Sequence, residues 1–504
     1  MPDIRKRAAS ALVAVALLLC AALLSGCGVI IIRDGSDAAP TGSAGHPDTA
    51  TSADSETPAP SAEETTTYKV ITTADAKEKA QAALDEIILR DFGGISVFIA
   101  STSPDTFAPS SVDSDVSEAR YVRQKLVEDK LNTTILTIGG TSDQIFDDLR
   151  TAEKAGTYYA DIIAVPIWQL GKFIAAGLLL RVNSLPFLDL DAEWFDADCM
   201  TQATAGYSSA YTVIGDVNLE PGKLFSVLWN KALAASVSAG DLYKLTYRGV
   251  WTWDYMLTCA RAIADVDGGI YGIASSAGAE TFISALYASS GEKLFETAAD
   301  GALAAAFGTE RAQNVVEKLK MFFTADAGLL GDSLQIPTSQ GTSAFYAGNA
   351  GFIVTPLETV EWFTNMKANW GVLPLPKYDE PQEKYYAYVD RGALSFSTPS
   401  GNKNIEAAGV FMSAFSAATG NLIADAFYTH LIKYVIRDSD SLNMMDIIRD
   451  GATIGFADIF ASGYPAVETG ALGSLYGAVR GSATLGYYHR NYAYQLDALL
   501  RKFT

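Results

Sequence analysis

Groups able to do covalent chemistry are sparse in this sequence. Four cysteines (Cys20, Cys27, Cys199, Cys259) form no CxxC pair and three histidines (His46, His430, His489) lie far apart, which excludes a Cys/His zinc site. A G-x-S-x-G elbow, a G-x-x-x-x-G-K-[ST] phosphate loop, a G-x-G-x-x-G turn and an H-E-x-x-H pair are all missing. Carboxylates cluster in LDLDAEWFDAD, at Asp189, Asp191, Glu193, Asp196 and Asp198. Oxygen-rich loops can hold calcium, but this run lacks the glycine and terminal glutamate of a helix-loop-helix site and reads as a solvated acidic loop. The carboxylate separation needed for glycoside hydrolysis is a property of the fold, and no pair stands out. No catalytic residue, cofactor or metal is expected. The informative groups are ones that bind. In α/β sheets ligands sit outside the carboxyl ends of strands, which selects Ser101, Thr102 and Asp105 after one β-rich run and Trp168 and Gln169 after another. An indole offers flat apolar area to the C–H face of a sugar ring, while hydroxyl, amide and carboxylate groups divide its OH donors and acceptors.

The elements that must position these residues alternate. A helix is expected over 73–90, a strand at 95–100, a helix over 115–130, a strand at 133–138, a helix from about Ser142 and a strand at 161–165. Short apolar runs separated by helices indicate βαβ units, a parallel sheet and the α/β class. Further helices are expected at 253–264, 279–289, 309–323, 404–418 and 485–502. At 504 residues the chain is long enough for more than one sheet, and two lobes are expected. Its formal charge of -21 repels phosphate backbones and anionic lipid, so nucleic-acid binding is disfavoured. Cys199 and Cys259 are expected as buried free thiols, and Trp251 and Trp253 as core.

The N-terminus has its own logic. Arg5, Lys6 and Arg7 precede an uncharged apolar run from Ala8 to Leu24, the pattern of a secretory signal over residues 1–26. Leu24-Ser25-Gly26-Cys27 resembles the lipobox of bacterial lipoproteins, which implies lipidation of Cys27 and a membrane-anchored protein facing the exterior. From Cys27 to Thr67 the composition is that of a disordered tether, with a span of roughly 35 Å as a flexible coil.

Eight motifs in order carry a wider resemblance. They are DIIAVPIWQLGKFIAAGLLLRVNSL (161–185), LFSVLWNKAL (224–233), WTWDYMLTCARAIA (251–264), IYGI (270–273), AFYAGNAGFIV (344–354), NWGVLPLPKYDE (369–380), ALSFSTPSGNKNIEAAGVFMSAF (393–415) and SGYPAVETGALGSLYGAVR (462–480). Together they resemble the extracellular solute-binding proteins of ABC importers, in the group that includes maltodextrin- and multiple-sugar-binding proteins. The resemblance implies a two-lobed periplasmic-binding-protein-like fold of type II, with solute held in the interlobe cleft and released by hinge motion. It implies lobes at 68–224 plus 397–435 and at 230–390 plus 436–504, with Trp229 packing at the hinge. It adds Tyr476 as a stacking aromatic, Glu280, Thr281 and Glu358 as cleft residues, and Arg391, beside Asp390, where the chain re-crosses between lobes. The chain departs from the sugar-binding pattern at Thr355-Pro356-Leu357-Glu358, where relatives often carry an aromatic or acidic residue directly after the returning segment. The expected protein is a monomeric, non-enzymatic receptor delivering a carbohydrate to an ABC permease. A peptide or polyamine receptor, a sensor and a surface glycan-degrading enzyme are the alternatives.

Overall fold

The computed structural model describes residues 73–503 apart from 89, 205–209, 298–301 and 332–335. The signal, Cys27 and the tether lie outside the described residues.

The first sheet is built from three parallel strands, β1 (Ile95–Ser101), β2 (Thr133–Gly139) and β3 (Ile162–Ala164), in the order β2-β1-β3. Local sequence sets where its helices begin. Ser114 and Ser117 form a reciprocal capping box that starts α1 (Asp115–Leu131), and Thr141 and Gln144 do the same for α2 (Ser142–Ala155). Both helices stop on left-handed residues, Asn132 and Gly156, as a chain turning back into a strand requires. The sheet is widened by a returning segment that bridges antiparallel at Ile163 to Ser397 and Pro166 to Leu394, with Val213 N–H donating to Phe396 O at 3.2 Å outside it.

The second sheet has the order β5-β7-β4-β8, built from β4 (Phe225–Asn230), β5 (Tyr271–Ser275), β7 (Ala350–Pro356) and β8 (Trp370–Pro374), while β6 (Phe295–Thr297) pairs apart from it with Leu303–Ala305. Every residue of β4, β7 and β8 is buried, as expected of strands covered on both faces. The parallel sheet expected from the elements over 95–165 is the first sheet; in the second, β5 and β7 are parallel and β4 runs antiparallel to both neighbours. The chain passes from β3 to β4 through the short helices Leu170–Ala175 and Ala197–Ala203. Leu224 bridges Val389 antiparallel at the point of passage, so the outgoing and returning segments run side by side.

The expected helix at 404–418 continues to Tyr434 as α3 (Ile405–Tyr434), with a non-helical residue at Gly420 (φ 20°, ψ -126°). Glycine absorbs the kink instead of ending the helix. Its apolar stretch is 88% buried inside the protein, packed on α1 and on the N-terminal helix Thr73–Glu86. Beneath it Phe107, Phe396 and Phe415 stack at 5.5–5.8 Å, and buried Arg123 sits 4.3 Å over the Phe415 ring. After α3 the chain enters the second sheet's surroundings, where Arg437 donates to Thr364 O and Met366 O and Lys231 pairs with Asp438 at 3.0 Å.

Trp251 and Trp253 are core, as expected, with their indole N–H groups on Pro374 O and Ser289 Oγ. Cys199 and Cys259 are free and buried. In the acidic run Asp196 caps the helix Ala197–Ala203 and Asp189 holds the N–H of Asp191, so both carboxylates serve local backbone.

Candidate functional site

At the carboxyl end of β1 the loop uses much of its own polarity. Ser101 is buried and its Oγ accepts from Ser103 N–H at 3.0 Å, while exposed Asp105 accepts from Ser110 N–H at 3.0 Å. Thr102 differs: its N–H donates to Ala164 O, and its hydroxyl is buried without a partner among the described residues. A hydroxyl in that condition is short of a hydrogen bond that a ligand can supply.

After β3 the chain turns through Ile167–Gln169 into the short helix Leu170–Ala175. Trp168 is 43% exposed there, and its N–H reaches Arg391 O at 3.3 Å. Gln169 accepts from Lys172, which also pairs with Asp143 at 2.5 Å. This turn is braced by close backbone packing against the C-terminal segment. A Cβ on Gly463 would lie 2.0 Å from Gly171 O, and Lys172 N–H donates to Ser462 Oγ at 3.2 Å.

Arg391 is the centre of an electrostatic cluster. Burial opposes its charge, but Tyr388, Tyr476, Asp458 and Glu280 outweigh that and hold the guanidinium firmly protonated. Tyr388 OH donates to Asp458 Oδ1 at 2.7 Å and Gly455 N–H to Oδ2 at 2.9 Å. Burial pushes the Asp458 carboxyl up, against the opposing pull of Arg391 and these hydrogen bonds. Tyr476 is 6% exposed, and its hydroxyl shares a 3.0 Å hydrogen bond with Ser284 Oγ. Glu280 lies in the first turn of the helix Ala279–Ser289, followed by half-buried Thr281, and pairs with Arg480 at 3.5 Å.

A second, charged cluster adjoins the first through Asp390, whose N–H donates to Lys223 O at 2.7 Å. Lys223 pairs with Glu358 at 2.7 Å. Beyond it Arg120 places one guanidinium nitrogen on both oxygens of Glu220, and His430 Nε2 lies 3.2 Å from Glu361. A cavity opens among Ser114, Arg120, Glu220, Glu358, Glu361 and His430, with walls drawn from the surroundings of both sheets.

Among the sequence-selected residues, Trp168, Arg391, Glu280 and Tyr476 therefore come together, with Glu358 one contact further on. Ser101 and Asp105 stand apart, spent on their own loop. Lys223, Arg480, Ser284 and the Tyr388–Asp458 pair join these residues, and none is among those that the sequence selects. Arg480 closes the motif SLYGAVR and Lys223 immediately precedes LFSVLWN, so both were within reach; the Tyr388–Asp458 contact joins residues 70 apart and left no local signal.

Residues 115–421 match the bacterial extracellular solute-binding protein family, and the chain belongs to that family. No curated protein matches the chain. Among solved structures, a cyclo/maltodextrin-binding protein complexed with maltotetraose superposes with a TM-score of 0.53 at 16% identity, covering 80% of this chain and 96% of its own. The galacto-N-biose/lacto-N-biose I-binding protein of an ABC transporter from Bifidobacterium longum gives 0.52 at 14% identity, covering 82% and 98%. The maltose/maltodextrin-binding domain of Bdellovibrio bacteriovorus bound to maltotriose gives 0.50 at 13% identity, covering 81% and 100%. The fold is the two-lobed, periplasmic-binding-protein-like α/β architecture of these structures, and the family consists of binding proteins rather than enzymes.

Proposed function

We propose that this protein is a lipid-anchored receptor that captures a carbohydrate between two lobes and delivers it to an ABC permease. In this reading the lobes are 68–224 plus 397–435 and 230–390 plus 436–504, Cys27 carries the lipid, and residues 28–67 are the tether. The observation that carries it is Trp168: a large aromatic left 43% exposed at a strand's carboxyl end, hydrogen-bonded through its backbone to Arg391, where the chain returns between sheets. Thr102 and Gln169 flank it on the first-lobe side. Glu280, Thr281 and Glu358 supply charge and hydroxyl groups from the other, Arg391 adds its charge from the segment that re-crosses between them, and Tyr476 is the wall behind. An aromatic platform with convergent polar groups suits a saccharide, and contacts from both lobes let binding favour the closed state.

Calorimetric titration with maltotetraose, maltotriose and lacto-N-biose tests the reading. Saturable binding of one of them, weakened by Trp168→Ala, is the expected result. Silence with every saccharide, together with saturable binding of a peptide or of spermidine, overturns the carbohydrate assignment. Mass spectrometry of the membrane fraction finding an unmodified Cys27 overturns the anchor.

A further inference from the structure

The acidic run at 189–198, which the solute site does not use, borders an open groove. The groove lies between the end of the N-terminal helix, the 187–194 loop and the first turns of α3. Asn402, just ahead of α3, donates to Asp161 O at the start of β3, so this is the amino-end side of the first sheet, away from Trp168. Its apolar wall is made by Ile87, Ile88, Phe187, Leu188, Trp194 and Val410.

Several independent features mark this wall as built to be covered. Phe187 holds a left-handed backbone (φ 63°), an uncommon and costly state for a bulky residue, and leaves its ring 40% exposed. The conformation is enforced from both sides: a Cβ on Gly409 would lie 1.9 Å from Pro186 O, and Ser413 Oγ donates to Phe187 O at 3.3 Å. Arg90 covers one part of the ring at 4.7 Å and is itself fixed by Glu406 at 3.3 Å. Ile88 is 54% exposed beside it. Trp194 is 7% exposed, and its indole N–H has no acceptor among the described residues. The rim carries Glu86, Asp189 and Glu193, all exposed and none in an ion pair among the described residues.

We infer that this groove docks a basic amphipathic segment of a partner protein, with apolar side chains on the Ile88–Phe187–Leu188 wall and Lys or Arg on the acidic rim. The charge selects the occupant. An anionic membrane surface is repelled by the rim, and a second copy of this chain, at a formal charge of -21, is repelled as a whole. A cationic helix with an apolar stripe satisfies the wall and the rim together.

Fluorescence anisotropy with a labelled Leu/Lys amphipathic peptide tests this on the full extracytoplasmic chain, beside its Leu/Glu counterpart and the charge-reversed variant Glu86→Lys/Asp189→Lys/Glu193→Lys. The Leu/Lys peptide is expected to bind saturably and to move the Trp194 indole resonance in ¹H–¹⁵N spectra. Ile88→Asp, Ala192→Trp and the charge-reversed variant should each weaken it by about tenfold or more, with melting temperature and saccharide affinity unchanged. Equal binding of the Leu/Glu peptide, or undiminished binding to Ile88→Asp and Ala192→Trp, overturns the proposal, the latter by showing that net charge alone attracts the peptide. Self-association, or binding of anionic vesicles that displaces the peptide, also overturns it. Loss of saccharide binding bears on the cleft and leaves these outcomes readable.

Discussion

The two clusters that meet at Asp390–Arg391 solve opposite problems. Around Arg391 most groups are buried and hydrogen-bonded to one another: Tyr476 is on Ser284 and Tyr388 is on Asp458, while Trp168 and Glu280 keep surface in solvent. Around Glu358 the groups are charged, wet and paired, with side-chain exposures of 29% for Lys223 and 46% for Glu358. The first cluster is a rigid wall holding one aromatic face toward solvent. The second is a set of exchangeable ion pairs beside a cavity. Residue type alone would have ranked Tyr476 with Trp168 as a stacking group; burial separates them, because a ring enclosed by protein has no face left to offer.

That difference is open to test, starting where the effect is largest. Tyr476→Ala should cost about 3 kcal/mol of stability by opening a cavity in the wall, whereas Tyr476→Phe should cost about 1 kcal/mol for the lost hydrogen bond. Denaturant titration of both variants reads the ratio. Near-equal losses would show that the hydroxyl, and not the ring, holds the wall. Gly463→Ala should follow at about 3 kcal/mol, since the new Cβ meets the backbone oxygen of Gly171 rather than a side chain that can turn away. The control is Ala at Gly473, where a Cβ finds its nearest neighbour, Glu468 O, at 3.4 Å. A Gly463 variant as stable as this control would mean that the brace behind Trp168 yields easily.

Much of the scaffold was legible because helix starts are written locally. Ser114, Thr141, Thr252 and Thr484 each cap a helix within a few residues of its expected start. Trp168 was legible for a related reason: it sits at the end of a short apolar strand, and strand ends in α/β sheets face ligands. What escaped depends on partners distant in sequence. The continuation of α3 past Gly420 is decided by packing on α1, which overrides the glycine's tendency to end a helix. The antiparallel setting of β4 comes from pairing with β7 and β8, far later in the chain, which no strand pattern records. The burial of Tyr476 depends on Ser284, 192 residues earlier. Exposure of Trp168 and burial of Tyr476 are indistinguishable as aromatic residues in loops or amphipathic helices until the two sheets are placed.

The next effects are smaller and concern binding and pH. Trp168→Ala should weaken the cognate saccharide by about tenfold or more, near 2 kcal/mol, with little change in melting temperature, because the ring is half in solvent already. Calorimetry and thermal melts on one preparation separate the two. A large fall in stability with unchanged affinity would make Trp168 a packing residue and move the solute elsewhere. Asp458 gives the pH test. Burial raises its folded-state pKa above that of the unfolded chain, so the folded state holds the proton more tightly. Its contribution is fully present below the unfolded value of about 4 and is lost as pH rises through the raised value. Asp458→Asn carries no such titration. The stability of Asp458→Asn relative to the native chain should therefore rise between pH 4 and pH 7. A flat difference would mean that Arg391 cancels the burial cost completely.

The smallest effect belongs to the charged cluster and closes the contrast. Lys223 and Glu358 sit 2.7 Å apart, yet both side chains reach water, so their attraction is screened and offset by the entropy of holding two long side chains still. A double-mutant cycle with Lys223→Met and Glu358→Gln should give a coupling of about 0.5 kcal/mol in low salt, falling toward zero at high salt. The same cycle run on solute affinity should give a larger number if the pair belongs to the cleft, because a saccharide that covers it removes the water that screens it. Equal coupling in stability and in binding would place the pair outside the solute's footprint. It would leave Glu358 as a surface partner of Lys223 at the passage between sheets, and Trp168 as the nearest ligand contact to Arg391.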